Sequence, residues 1–213
     1  MNKLILIFLF LANSIGYSQK INENQLEMYQ YNDSTNLLDI YLGVNGLDTN
    51  YSIDSSILKY SNLEGISILL QLDNNSNLII KDGILPRFKS LYALNVQLST
   101  GNKGKFYLPS DLNKCLNLES VLFCTSSFGK GEEHMVNQVV KIPKLKFFNL
   151  CVDSRCGNRK LIKSVKWLMH NSKTLETVNV YFHSKQFKGL IKYGAKYGIK
   201  VNTSQQRHKA RRK

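Results

Sequence analysis

The residues of this chain whose types invite chemistry are four cysteines, three well-separated histidines before the C-terminal tail, and a set of asparagines spaced through the middle. His134, His170 and His183 lie far apart in sequence, and neither a C-x-x-C nor an H-E-x-x-H occurs, so no metal site is written in local order. "CVDSRC", Cys151 to Cys156, puts four residues between its cysteines and lacks a second pair to complete a zinc site. A cysteine–histidine nucleophile needs only to meet in space, but no local signature supports one. "GNKGKF", Gly101 to Phe106, does not have the spacing that cradles a phosphate. The chain therefore reads as non-enzymatic, with no catalytic residue, metal or cofactor, and the chemistry left to it is recognition.

Recognition needs donors, acceptors and aromatic anchors presented together, and the spacing of apolar residues says which elements present them. "NLLDIYL" places Leu37, Ile40 and Leu42 at positions one, four and six. The same spacing recurs in "NLEGISI" from Leu63, "SLYALNV" from Leu91, "NLESVLF" from Leu118, "KLKFFNL" from Leu145 and "TLETVNV" from Leu175. The steps between first positions are 26, 28, 27, 27 and 30 residues. Positions four and six of a strand point to one side, so each unit has an apolar edge that it can bury only against neighbouring units. Positions three and five then face the other way. Asn95, Asn149 and Asn179 all fall at position five and set donors and acceptors along one line. Tyr41, Tyr92, Phe147 and Tyr181, with Phe182 beside the last, supply aromatic anchors of the kind that dominate interfaces. Position nine is polar throughout, at Asn45, Gln71, Ser99, Ser126, Asp153 and His183, as expected where a chain turns away from a strand.

Six such sets, each followed or preceded by a short return segment as in "LPSDLNKCLNLESVLFCTSS", resemble the leucine-rich repeat superfamily, as a short, degenerate, secreted bacterial-type member. Position nine is asparagine only at Asn45, where that family forms an asparagine ladder. The resemblance covers about residues 36–184. It implies an α/β fold: a leucine-rich repeat solenoid with a short curved parallel sheet and helices or irregular segments on the convex side. It also implies a concave strand face that binds a protein or peptide.

Cys124 and Cys151 share position seven of adjacent units. Parallel neighbours lie about 4.8 Å apart, within disulfide reach. A Cys151–Cys156 bridge, or four thiols without any bridge, are the alternatives.

Between the strands, "KLIKSVKWLMHNS" (160–172) reads as a helix with Leu161, Val165, Leu168 and Met169 on one face. "FKGLIKYGAKYG" reads as another, and "GIKVN" as a terminal strand through Ile199 and Val201. "SSILKYS", "LPSDLNKCL" and "MVNQVVKIP" are short, partly amphipathic returns. "LSTGNKGKFY", "SSFGKGEEH" and "CVDSRCGNRK" read as loops.

The ends and the charge complete the reading. Residues 1–18 have the layout of a secretory signal peptide, with Lys3, an apolar run from Leu4 to Ala12, and Gly16 and Ser18 before a cut at Gln19. The expected location is secreted, periplasmic or cell-surface, with no membrane span in the mature chain. Residues 19–35 are expected to cap the first unit, residues 36–203 to form the repeat domain, and residues 204–213 to be a basic disordered tail. Net charge is +14. Residues 19–100 hold nine acidic and five basic residues, whereas 101–213 hold 23 basic and six acidic. A glycan or other anionic surface is thus the second candidate partner, through the C-terminal half and Arg207, Lys209, Arg211, Arg212 and Lys213 of the tail. Sequence-specific reading of nucleic acid is not expected, since no such module is visible.

Overall fold

Alternation of apolar and polar residues within each unit dictates the central sheet. In this computed structural model, which describes residues 27–44, 50–72, 77–98, 106–125, 130–152, 158–181 and 187–203, eight strands pair in the order β1-β2-β4-β6-β8-β9-β10-β11. They are β1 (Glu27–Asn32), β2 (Leu37–Val44), β4 (Gly65–Leu72), β6 (Ala93–Leu98), β8 (Ser120–Thr125), β9 (Phe147–Val152), β10 (Thr177–Tyr181) and β11 (Lys200–Thr203). All neighbours are parallel except β1, which runs antiparallel to β2 at one edge. The segment expected to cap the first unit thus contributes an edge strand and a tight turn. Asn36 closes that turn at φ 53°, a left-handed conformation that asparagine tolerates better than most residues.

Side chains at positions four and six, from Leu38 and Ile40 to Val178 and Val180, are fully or almost fully buried. They meet the return segments, which fall into two kinds. In the N-terminal half the returns are extended: β3 (Asn50–Ile53), β5 (Asn77–Ile80) and β7 (Phe106–Tyr107) pair in parallel as a second, three-stranded sheet. Short 3-10 turns at 55–59, 85–87 and 112–114 insert Ile57, Leu85 and Leu112 into the same core. In the C-terminal half the returns are helical: α1 (Lys130–Val139), α2 (Asn158–Asn171) and α3 (Phe187–Lys196). They bury Val136 and Val139, then Leu161, Val165 and Leu168, then Leu190.

The expected leucine-rich repeat solenoid, a curved sheet of like units with one convex side, is corrected by this arrangement. The chain is a mixed α/β protein with an eight-stranded, mostly parallel sheet, an antiparallel edge strand, a second sheet and few helices. The physical reason lies in the returns. Leu78, Ile80 and Phe106 point inward and bury as strands, while the later returns carry helical periodicity, so the units are not interchangeable. All three expected loops also shrink. "SSFGKGEEH" gives its residues from 130 onward to α1, "LSTGNKGKFY" ends in β7, and "CVDSRCGNRK" begins in β9 and gives its residues from 158 onward to α2.

The phase of the first unit is corrected as well. Leu37 pairs with Gly65, a third-position residue, and Leu38 with Ile66. Leu38, Ile40 and Leu42 are therefore the buried set, and Asp39 and Tyr41 move to positions five and seven.

One backbone device joins the units. The second-position carbonyl of a unit accepts from two consecutive N–H groups at the start of the next strand: Glu64 from Tyr92 and Ala93 at 2.8 and 3.0 Å, and Tyr92 from Glu119 and Ser120 at 2.9 and 3.1 Å. Lys146 likewise takes Glu176 and Thr177, both at 2.9 Å. Shared acceptors of this kind leave no strand start with an orphan amide.

Candidate functional site

On the sheet face away from the core, fifth-position residues form one row in register: Asp39, Ser67, Asn95, Leu122, Asn149, Asn179 and Asn202. Leu122 is 7 % exposed yet stands outside the hydrophobic core cluster, which marks the row as belonging to the opposite face. Each strand places its fifth residue next to its neighbour's, so short polar side chains bond along the row.

The bonds all run one way. Asn202 Nδ2 donates to Asn179 Oδ1 at 2.7 Å, and Asn179 Nδ2 donates to Asn149 Oδ1. Past Leu122, Asn95 Nδ2 donates to Ser67 Oγ at 3.2 Å, and the Ser67 hydroxyl donates to Asp39. Burial holds the Asp39 carboxyl above its ordinary range, against the lowering effect of Ser67. Leu122 thus divides one polar line into two. Asn95 Oδ1, buried and facing away from its own donor bond, has no partner.

The expected binding residues spread over this face and beyond it. Asn149 and Asn179 are directly bonded neighbours, while Asn95 is two strands from Asn149, roughly 10 Å at the usual inter-strand spacing. Phe147 is half-buried in the third-position row, between Ser120 and Thr177. Tyr41 and Tyr181 occupy the seventh-position row at its two ends, with Leu69, Gln97, Cys124 and Cys151 between. They are five strand steps apart, roughly 24 Å, and do not share one small site. Tyr92 is half-buried one residue before β6, in the row of Glu64 and Glu119, where burial and the nearby Glu119 raise its hydroxyl. Gln71 is in β4. Phe182, the other ninth-position residues, the signal segment 1–18 and the basic tail lie outside the described residues.

Cys124 and Cys151 are register partners across β8 and β9, side by side as their shared position requires, and no disulfide joins them. The hydrogen bond to Cys151, with burial, pushes the Cys124 thiol up. Cys115 is buried elsewhere, its thiol pushed up to about 12 by burial and Asp111. Cys156 lies outside the described residues. Among the described residues no three His, Cys, Asp or Glu side chains gather as a metal would require, and no helix is long and apolar enough to cross a membrane.

Sequence reasoning missed Asp39 and Asn202 as members of the row, whereas Ser67 follows from the spacing, at position five of the unit that begins at Leu63. A signal for Asn202 was present. An asparagine preceded by an apolar residue on a short β-rich run occurs at Leu94–Asn95, Phe148–Asn149, Val178–Asn179 and again at Val201–Asn202. Asp39 was hidden by the two-residue phase error of the first unit.

No protein-family model matches the chain, and no curated protein is similar to it.

Proposed function

We propose that this chain is an exported, non-catalytic recognition module that holds a protein or peptide segment on the odd-position face of its main sheet. The observation that carries the reading is the composition of that face. A polar row of amides, a hydroxyl and a carboxyl is flanked by half-buried Phe147 on one side and by Tyr41 and Tyr181 on the other. Every described helix and the second sheet contribute their buried side chains to the opposite side. A peptide segment offers N–H and C=O groups in alternation, which side-chain amides complement at both ends. Aromatic rings beside them supply the apolar contact from which most binding energy comes. At the gap over Leu122, Asn95 offers an acceptor, and Asn149 lies in register on the far side. A swing of Leu122 would let one ligand amide join the two halves of the row.

The test is peptide selection on the full chain at moderate salt, followed by affinity measurement with Phe147→Ala and Tyr181→Ala. Both side chains are half-buried on the face and outside the core cluster, so the variants fold. Selected peptides are expected to lose about tenfold or more with at least one of them, since truncating an aromatic anchor costs about 1–2 kcal/mol or more. Peptides that bind both variants as well as the parent, or a selection that enriches none, would sink the reading.

A further inference from the structure

The helical side of the C-terminal half carries a second surface with a different chemistry, independent of the sheet face. We propose that the outer face of α2 and α3 binds an anionic polysaccharide.

Three observations carry this. The first is unbalanced charge. Residues 158–203 contain ten lysines and arginines and a single acidic residue, Glu176. Lys163, Lys192 and Lys196 are exposed and Lys166 half-buried, and among the described residues the one ion pair is Lys146 with Glu119, just ahead of β9 and β8. The second is aromatic content between those lysines. Trp167 is 41 % exposed. Tyr193 and Tyr197 lie with ring centres 5.1 Å apart, and His170 Nδ1 meets the Tyr197 hydroxyl at 2.9 Å, which ties α2 to α3. Lys166 Nζ sits 5.3 Å from the Tyr193 ring centre and Lys196 Nζ 5.5 Å from that of Tyr197. The third is that the lysines and Trp167 of this face stand outside the core, while Tyr193 and Tyr197 pack against its edge and are held in place there. Leu161, Val165, Leu168 and Met169 anchor α2 on its other side, and Leu190 anchors α3.

The chemistry selects the ligand class. Unpaired ammonium groups, a helical turn apart or less, suit a linear chain of spaced anions rather than one compact anion. Lysine gives point charges without the bidentate fork that reads planar phosphate or base edges, so affinity would follow charge density and not sequence. Trp167 adds an open ring face that the C–H face of a sugar can cover while its anionic groups reach the lysines. Insertion into a lipid surface is disfavoured, because Trp167 is the only large apolar side chain exposed on this face among the described residues and lipid-seeking helices need a continuous apolar side. The export reading of residues 1–18 favours a polysaccharide over nucleic acid.

The full chain is titrated with heparin and with alginate, and in parallel with a thymidine oligomer and with anionic lipid vesicles, at several salt concentrations. One variant carries Lys163→Gln, Lys166→Gln, Lys192→Gln and Lys196→Gln. A control of equal charge change carries Lys59→Gln, Lys81→Gln, Lys89→Gln and Lys141→Gln. The expected result is polysaccharide binding that weakens with salt, falls tenfold or more in the first variant, stays within threefold in the control, and falls several-fold with Trp167→Ala. Lysine acetylation of the unaltered chain, read by mass spectrometry, should show Lys163, Lys192 and Lys196 protected by the polysaccharide while Lys59 and Lys81 are not. Equal loss in both quadruple variants, or protection spread evenly over all lysines, would mean net charge alone and overturn the site. Tighter binding of the oligomer or of vesicles would overturn the ligand class.

Discussion

At the scale of single residues, the row over the main sheet shows how one side chain can divide a line of hydrogen bonds. Asn202 and Asn179 donate in sequence toward Asn149 on β9, and Asn95 and Ser67 resume toward Asp39, with Leu122 between. An unpartnered buried acceptor such as Asn95 Oδ1 costs about 1–3 kcal/mol. An asparagine at 122 could accept from Asn149 and donate to Asn95. Against that stands the apolar burial of Leu122, about 1.5–3 kcal/mol when complete. The two nearly cancel, so Leu122→Asn is expected to leave stability within about 1 kcal/mol of the parent. Val121→Asn, one residue away, should cost about 3 kcal/mol or more, because its side chain is wholly inside the apolar core with no polar partner. Urea unfolding of the two variants side by side checks this; equal, large losses in both would mean that the row does not bond as described. Asn95, Asn149 and Asn179 were legible in the sequence because position five follows from positions four and six. Asp39 was not, because "LLDIYL" has leucines in both phases, and only pairing with β4 decides between them.

At the scale of elements, local propensity and tertiary contact disagree at α3, and the contact decides. Gly194 is in the last turn of this helix, where alanine is ordinarily the better residue by up to about 1 kcal/mol. A methyl group there would meet the Ile199 carbonyl oxygen at 2.8 Å and press on Val201 of β11, with Met169 Sδ of α2 at 3.5 Å. The carbonyl belongs to the chain that turns through Gly198, at φ 69°, into β11, so it cannot retreat without moving the terminal strand. Gly194→Ala is therefore expected to destabilise by about 1–3 kcal/mol, whereas Gly189→Ala, with open space around it, should stabilise slightly. A thermal melt of both variants tests the contrast, and a stabilised Gly194→Ala would contradict the close approach of helix and strand. The last two helices were legible because periodicity of 3.6 survives in "KLIKSVKWLMHNS" and "FKGLIKYGAKYG", whereas α1 begins inside a segment read as a loop. The second sheet was not. Its strands have four, four and two residues, too short to show a period, and each pairs with a segment nearly thirty residues away.

At the scale of the whole molecule, the order of strands converts a sequence gradient into a spatial one. After β1 and β2, strand order in the main sheet follows chain order to β11. The acidic stretch 19–100 and the basic stretch 101–213 therefore belong to opposite ends of the sheet. Those ends are seven strand steps apart, roughly 34 Å at the usual spacing, against a screening length of about 10 Å at 0.1 M salt. Attraction between the two ends is already faint at low ionic strength, while repulsion among Lys163, Lys166, Lys192 and Lys196 acts at short range with no carboxylate among the described residues to relieve it. Added salt should then remove more repulsion than attraction and stabilise the fold. Raising sodium chloride from 10 to 300 mM, in round experimental terms, is expected to lift Tm by about 3 °C, the shift that roughly 1 kcal/mol makes in a chain of this size. The variant with all four lysines changed to glutamine should start higher and gain less. A Tm that falls with salt would mean that attraction between the two ends outweighs repulsion within the basic one, and the charge at the helical side would then be serving the fold rather than waiting for a partner.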